Sequence, residues 1–295
     1  RILTRFIKEQ AIMDEDTKSL KAKDNKDIPS NSLQSAYDED ATYRIKGGKG
    51  QSGYVLNIAE TCSEDNPFQV ITDYQVDQNI KSDVELLNDR LPEIKENTDL
   101  KDLYLDGGYY SDKAAELEKE NQVELHFTNL SGRNPSKKQS VTDYQIDETT
   151  DLIIKCPKGY TPIHTGITKS QTVAHFPLTA CSTCEPRGKC HCEKQKKSYV
   201  VRINLKSVKT AKEREKILIN RKENTSMRAA IEGTNSALKR GHNLSKLQVR
   251  GQVKSTTHTG FKVIAQNFKR FCNYMLEQSK KIKTKNQGMS VPVFT

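Results

Sequence analysis

Arg228, Glu232 and Lys239 lie in the stretch Thr225-Ser-Met-Arg-Ala-Ala-Ile-Glu-Gly-Thr-Asn-Ser-Ala-Leu-Lys-Arg240, at steps of four and then seven residues. At 3.6 residues per turn these steps put all three on one face of a helix, with Met227, Ile231 and Leu238 as an apolar side to bury. A carboxylate set between two bases suits an acid that holds a hard metal ion beside cations that grip phosphate. The same spacing also fits a solvated Arg–Glu pair at i,i+4, which adds about 0.3 kcal/mol to a helix and does no chemistry. A second acid shifts the balance toward chemistry. Asp106 stands in Asp-Leu-Tyr-Leu-Asp106-Gly-Gly-Tyr-Tyr-Ser-Asp112, where an Asp could also merely open a turn.

The elements that must position these residues follow from local pattern. Leu103 to Leu105 read as a short buried strand, and Asp106 sits where it ends. Gly107 and Gly108 permit a sharp turn, and Ser111 can cap a helix containing Ala114, Ala115 and Leu117. A carboxylate at the carboxyl end of a strand is well placed, because ligands of open α/β sheets gather there. Tyr54 to Ala59, Gln69 to Tyr74 and Val123 to Phe127 read as further strands, and Val84, Leu87, Leu91 and Ile94 fall at helical spacing. This alternation predicts an α/β layer. Between about 130 and 205, short apolar runs alternate with Pro, Gly and Cys, which predicts a small β-rich insertion. Helices return at 211–219 and 223–239, and a last amphipathic helix carries Phe261, Ile264, Phe268, Phe271 and Met275. Lys46 to Gly53 reads as a flexible basic loop. It lacks the Gly-x4-Gly-Lys-Ser/Thr order of a phosphate cradle.

Charge is divided unevenly along the 295 residues. The chain carries 48 Lys and Arg against 38 Asp and Glu, a formal net charge of +10. From Lys194 onward there are 24 basic and 5 acidic residues, and before it 24 basic and 33 acidic. The basic third holds Arg228 and Lys239 and points to a polyanion, most commonly nucleic acid. The alternative is a generic basic tail. No apolar run approaches 18 residues, so no membrane partner is expected. Seven cysteines without a secretory signal argue for a reducing compartment. Cys181-Ser-Thr-Cys184 followed by Cys190-His191-Cys192, with Cys156 upstream, has spacing that suits a structural Zn²⁺. Unligated buried thiols and a redox pair remain the other readings. Cys62 and Cys272 sit in apolar contexts that suit core packing. The six His show no His-x3-His spacing and read as structural or surface residues.

Taken together, the Asp106-Gly-Gly-Tyr turn and the Arg228-x3-Glu232-x6-Lys239 helix resemble the DDE transposases of bacterial insertion sequences, particularly those with a long insertion between the second and third acids. Thr225 stands where that family's helix pattern has Tyr. Further resemblance lies at Asp38-Glu-Asp40-Ala-Thr-Tyr43, Gly53-Tyr-Val-Leu-Asn57, Cys156-Pro-Lys-Gly159 and Val249-Arg-Gly251, so it runs from about residue 35 to 275. The resemblance implies a ribonuclease-H-like mixed sheet with flanking helices and a β-rich, Cys-containing insertion. It implies Asp106 and Glu232 as catalytic acids that bind Mg²⁺ or Mn²⁺, and Arg228, Lys239, Arg240 and Arg250 as DNA-binding residues. It implies Cys156, Cys181, Cys184 and Cys190 as the zinc ligands, with His191 or Cys192 as substitutes. The expected partners are transposon-end and target DNA and a second copy on that DNA, in the bacterial cytoplasm with the nucleoid.

The expected segments are 1–35, a helical and linker remnant; 36–130, the first part of the core; 131–206, the insertion; 207–276, core helices with the catalytic Glu; and 277–295, a basic disordered tail. The family's first Asp precedes the Asp-x-Asp-Ala segment and is expected upstream of Arg1. The chain therefore reads as a fragment, with Asp38, Asp40 and Asp73 as poor replacements. The rival functions are a non-catalytic DNA-binding transposase remnant and a structural zinc module.

Overall fold

The computed structural model describes residues 1–130 and 138–287. It divides into two units, Arg1–His126 with Thr225–Thr295, and Phe127–Asn224. In chain order the first part contains α1 (Ile2–Gln10), β1 (Ala11–Met13), β2 (Leu20–Ala22), β3 (Thr42–Lys46), β4 (Lys49–Glu60), β5 (Ile71–Gln78), α2 (Asp83–Asn97), β6 (Asp102–Leu105), α3 (Asp112–Asn121) and β7 (Glu124–Phe127). There follow β8 (Gln145–Ile146), β9 (Ile153–Lys155), β10 (His164–Thr168), β11 (Gln171–Phe176), α4 (Leu178–Ser182), β12 (Cys192–Lys194), β13 (Tyr199–Asn204) and α5 (Leu205–Ile219). Two helices complete it, α6 (Arg221–Ser236) and α7 (Gln252–Gln287).

The first unit is mixed α/β. Its strands pair as β1-β2, as an antiparallel β3-β4-β5 meander, and as β6-β7. Among the described residues no backbone ladder joins the meander to β6-β7. The basic Gly-rich stretch is a hairpin and not a flexible loop. Lys46 pairs with Lys49 across Gly47 and Gly48, whose φ values of +58° and +74° suit the tight two-residue turn that matches strand twist. The N-terminal 35 residues also differ from a helix-plus-linker, because a β1-β2 hairpin follows α1. Helix α2 begins with a reciprocal Ser82–Glu85 capping box and buries Leu86, Leu87, Leu91 and Ile94.

Helix α7 has two distinct faces. One packs Val263 with Leu238 and Ile71, and Asn267 exchanges two hydrogen bonds with the backbone of Ile71 on β5, at 2.9 Å each. The other carries Phe261, Ile264 and Phe268, which are 67 %, 64 % and 65 % exposed. The helix continues through residues 277–287, correcting the disordered tail expected there. Lys, Gln and Ile favour helix and no Gly or Pro interrupts before Gly288. Residues 288–295 lie outside the described residues. No described helix is long and apolar enough to cross a membrane.

The second unit holds an antiparallel sheet in the order β10-β11-β13-β12 and a β8-β9 pair. Its core gathers Ile153, Ala174, Phe176, Tyr199, Val201 and Ile203. Val208 of α5 belongs to the same cluster. The second unit runs on to Asn224 and so includes α5, which packs Val208 into its core.

Candidate active site

Asp106 follows β6 directly and caps the single helical turn Gly107–Tyr109, accepting the Gly107 N–H at 2.7 Å. The turn is tight. A Cβ on Gly108 would lie 2.8 Å from Asp83 Oδ2, the end of a side chain that can turn aside, and neither glycine adopts a positive φ. Tyr109 donates its hydroxyl to Asn57 Oδ1 on β4 at 3.0 Å. Burial, reinforced by the charges of Asp83 and Asp106, pushes the Tyr109 hydroxyl up to about 12, so it stays protonated as that donor. Ser111 then caps α3 through the Ala114 N–H at 3.0 Å, as the sequence pattern predicts.

Arg228 on α6 reaches this turn. Its Nη2 lies 3.2 Å from Asp106 Oδ2 and 3.4 Å from Glu232 Oε1. One guanidinium nitrogen therefore bridges two carboxylates that are remote in sequence, and the nearest oxygens can be no farther apart than those two distances end to end. Asp106 and Glu232 remain open to solvent, at 46 % and 66 % exposed. The arrangement is a pair of accessible carboxylates around one positive charge. Hard divalent cations use such oxygen donors.

The remaining basic residues are less uniform. Lys239 and Arg240 are exposed but lie past the end of α6, in a π-helical turn over Ala237–Gly241 closed by the His242 N–H on the Ala237 carbonyl at 3.1 Å. The wider turn departs from the 3.6-residue register that the seven-residue step assumes. Arg240 donates its Nε to Ser236 Oγ at 2.9 Å. Arg250 stacks its guanidinium 5.0 Å from the Tyr37 ring centre.

Other acids near the start of the chain have structural partners. Asp38 accepts the Tyr54 hydroxyl at 2.6 Å, Asp40 accepts the Gln252 N–H at 3.0 Å, and Asp73 forms a two-point pair with Arg90. A further cluster was not singled out from sequence. Asp102, Glu124 and His126 bring three candidate ligand atoms within 4.8 Å of one another, with His126 Nε2 at 2.8 Å from Asp102 Oδ1 and the Tyr104 ring stacked on the imidazole. Glu124 and His126 are two apart on β7, and that i,i+2 spacing on a strand was the available signal. The cluster starts from the first residue of β6, whereas Asp106 follows its last.

In the second unit, Cys156, Cys181, Cys184, Cys190 and Cys192 line one cavity. Burial, and then the neighbouring thiols of Cys156, Cys190 and Cys184, push the Cys181 thiol up to about 11. His191 is turned to other partners, with Nε2 at 2.9 Å from the Gln139 carbonyl and its ring edge-on to Tyr144.

No curated protein and no solved structure matches this chain. Residues 155–272 match a family described as "Transposase DDE domain". The matched span contains Arg228, Glu232, Lys239, Arg240, Arg250 and the five clustered cysteines, while Asp106 lies upstream of it. The match supports a DDE transposase.

Proposed function

We propose that this chain is the catalytic portion of a DDE transposase, which cuts and joins DNA by in-line displacement at phosphorus with Asp106 and Glu232 as two of its metal-binding acids. The observation that carries the reading is the Arg228 bridge, which draws those two carboxylates together in one solvent-open group. The order meander, α2, β6, α3, β7, insertion and α6 supports a ribonuclease-H-like core. Asp106 and Glu232 would hold a Mg²⁺ or Mn²⁺ ion, which would supply Lewis-acid activation for the attacking hydroxyl and charge stabilisation for the leaving oxygen. The chain's own residues do the rest. The Gly107 N–H fixes one oxygen of Asp106 and leaves the other toward Arg228. Arg228 offers a planar fork to a phosphate once its carboxylate partners are otherwise neutralised. Lys239, Arg240 and Arg250 extend positive charge along the DNA.

The direct test maps the metal without requiring turnover. Fe²⁺ exchanged for Mg²⁺ and treated with ascorbate and peroxide cuts the backbone beside its site. Cuts near 106–108 and 228–232 that Mg²⁺ suppresses, and that vanish in Asp106→Asn, are expected. Cuts confined to the neighbourhood of Asp102, Glu124 and His126 would move the metal to that cluster and overturn the assignment. DNA binding with no metal-dependent cuts at either place would favour the non-catalytic remnant.

The basic residues make a separate prediction. Duplex affinity should fall steeply with salt, and Lys239→Ala should weaken binding and shallow the log–log salt slope by about one unit, the loss of one phosphate contact. Fluorescence anisotropy titrations from low to moderate salt measure it. An unchanged slope would take Lys239 out of the interface.

A further inference from the structure

We infer that Asp102, Glu124 and His126 form a metal site apart from Asp106 and Glu232, one that takes a transition-metal dication such as Zn²⁺ and clips the start of β6 to β7. The two strands assemble it. Asp102 is the first residue of β6 and Glu124 the first of β7, and the Glu124 N–H donates to the Lys101 carbonyl at 2.7 Å, which sets the strand starts side by side. Alternation along each strand puts Asp102 with Tyr104, and Glu124 with His126, on one side. Leu105 and Leu125 point the other way and are buried. His126 Nε2 lies 2.8 Å from Asp102 Oδ1, and an oxygen of Glu124 completes a trio of ligand atoms that all lie within 4.8 Å of one another. Among the described residues no other trio of His, Cys, Asp or Glu side chains converges as closely, the clustered cysteines included. Metal–ligand bonds of about 2.1 Å set neighbouring ligand atoms roughly 3–3.5 Å apart, so only a small contraction closes the site.

The ion class follows from charge and ligand type. Two carboxylates this close repel one another. A protonated imidazole cancels one of their charges, whereas a dication bound to the neutral ring cancels both. One nitrogen and two oxygens suit Zn²⁺, Co²⁺ or Ni²⁺, while Mg²⁺ takes oxygen ligands and keeps several of its waters. Tyr104 stacks on the imidazole with ring centres 4.7 Å apart, which holds the ring in place, and Asp102 at 52 % exposed leaves the ion a way in. Three protein ligands leave positions for water. Four strand steps of about 3.3 Å put roughly 13 Å between Asp102 and Asp106, so the two groups cannot share one ion. The clip therefore steadies, from its far end, the strand that presents Asp106.

Imidazole ¹⁵N–¹H spectra of the full chain test this, because they read the six His separately. His126→Gln identifies the His126 signals. Zn²⁺ should move the His126 Nε2 resonance to a metal-bound position, and Mg²⁺ in large excess should leave it in place. Glu124→Gln and Asp102→Asn alter exposed carboxylates, so folding should hold, and each should weaken the response at least about 10-fold. Asp106→Asn and Cys181→Ser should leave it unchanged. A His126 resonance that Zn²⁺ does not move overturns the site in the unaltered protein, and one that Mg²⁺ moves equally overturns the ion class. A response that either carboxylate variant leaves at full strength overturns the ligand set. Zinc bound by thiols elsewhere does not move the His126 signals. The readout uses no DNA binding or cleavage, so its failure leaves the Asp106–Glu232 reading standing.

Discussion

In a protein extended to carry the family's first Asp, Glu232→Gln should cut metal-dependent nicking of supercoiled DNA by about 10²–10³-fold, the scale seen when one electrostatic group of a preorganised site is removed, and leave duplex affinity nearly unchanged. The amide keeps the shape of the side chain and can still accept from Arg228, but it no longer supplies the negative oxygen that a hard cation requires. Glu232 is 66 % exposed, so the change leaves no buried group without a partner and folding should be unaffected. No DNA-contacting cation is lost, and one repelling charge is removed, so affinity should hold or rise slightly. Asp106→Asn should behave alike, since Asn also caps a helical turn. The measurement is a plasmid-nicking rate in Mg²⁺ or Mn²⁺ beside an anisotropy titration on the same preparations. Nicking that survives Glu232→Gln would remove this residue from the catalytic set and favour an unrelated nuclease.

Parts of this site were legible because local rules dictate them. The Asp-Gly-Gly-Tyr-x-Ser sequence specifies a strand end, a tight turn and a capped helix, and all three form where the residues indicate. Arg228 and Glu232 sit one helical turn apart, so their common face needs only the α-helical period. What local rules omit is the cross-chain contact. Nothing near Asp106 in sequence announces Arg228, and only tertiary packing brings them to 3.2 Å. The step to Lys239 is less direct. Periodicity assumes an unbroken helix, and the π turn at Ala237–Gly241 resets the register. Helix α5 reads in sequence as an ordinary amphipathic helix, and its packing against the β-rich sheet shows only in where Val208 lies. The exposed Phe261, Ile264 and Phe268 show the limit of amphipathicity itself. The pattern finds an apolar face but does not say that α7 docks through Val263 and Asn267 instead.

Arg270→Ala should be the most destabilising single change in the first unit, by about 3–5 kcal/mol and on the order of 10 °C in melting temperature. Arg270 on α7 pairs with Glu60 at the end of β4 at 3.0 Å, and Glu60 is only 3 % exposed. Thr234 on α6 donates to the same Glu60 oxygen at 2.7 Å and also contacts Arg270. The other oxygen, Glu60 Oε1, is buried with no hydrogen-bond partner, so Arg270 supplies most of the compensation for this charge. Removing it strands a carboxylate in a poorly solvated place, which costs far more than the pair contributes on balance. The sign reverses for replacement of both partners. Glu60→Leu with Arg270→Met should recover most of the loss, because neither a stranded charge nor a cavity remains. Thr234 lies two residues beyond Glu232, so this pair also sets how α6 is anchored beside β4. Arg270→Ala should therefore loosen the Fe²⁺ cleavage pattern at 228–232, while the double replacement keeps it sharp. Thermal unfolding followed by circular dichroism measures the stability. A loss below about 1 kcal/mol for Arg270→Ala, or a double variant no more stable than the single one, would mean that Glu60 is solvated or neutral and that the clamp on the catalytic helix lies elsewhere.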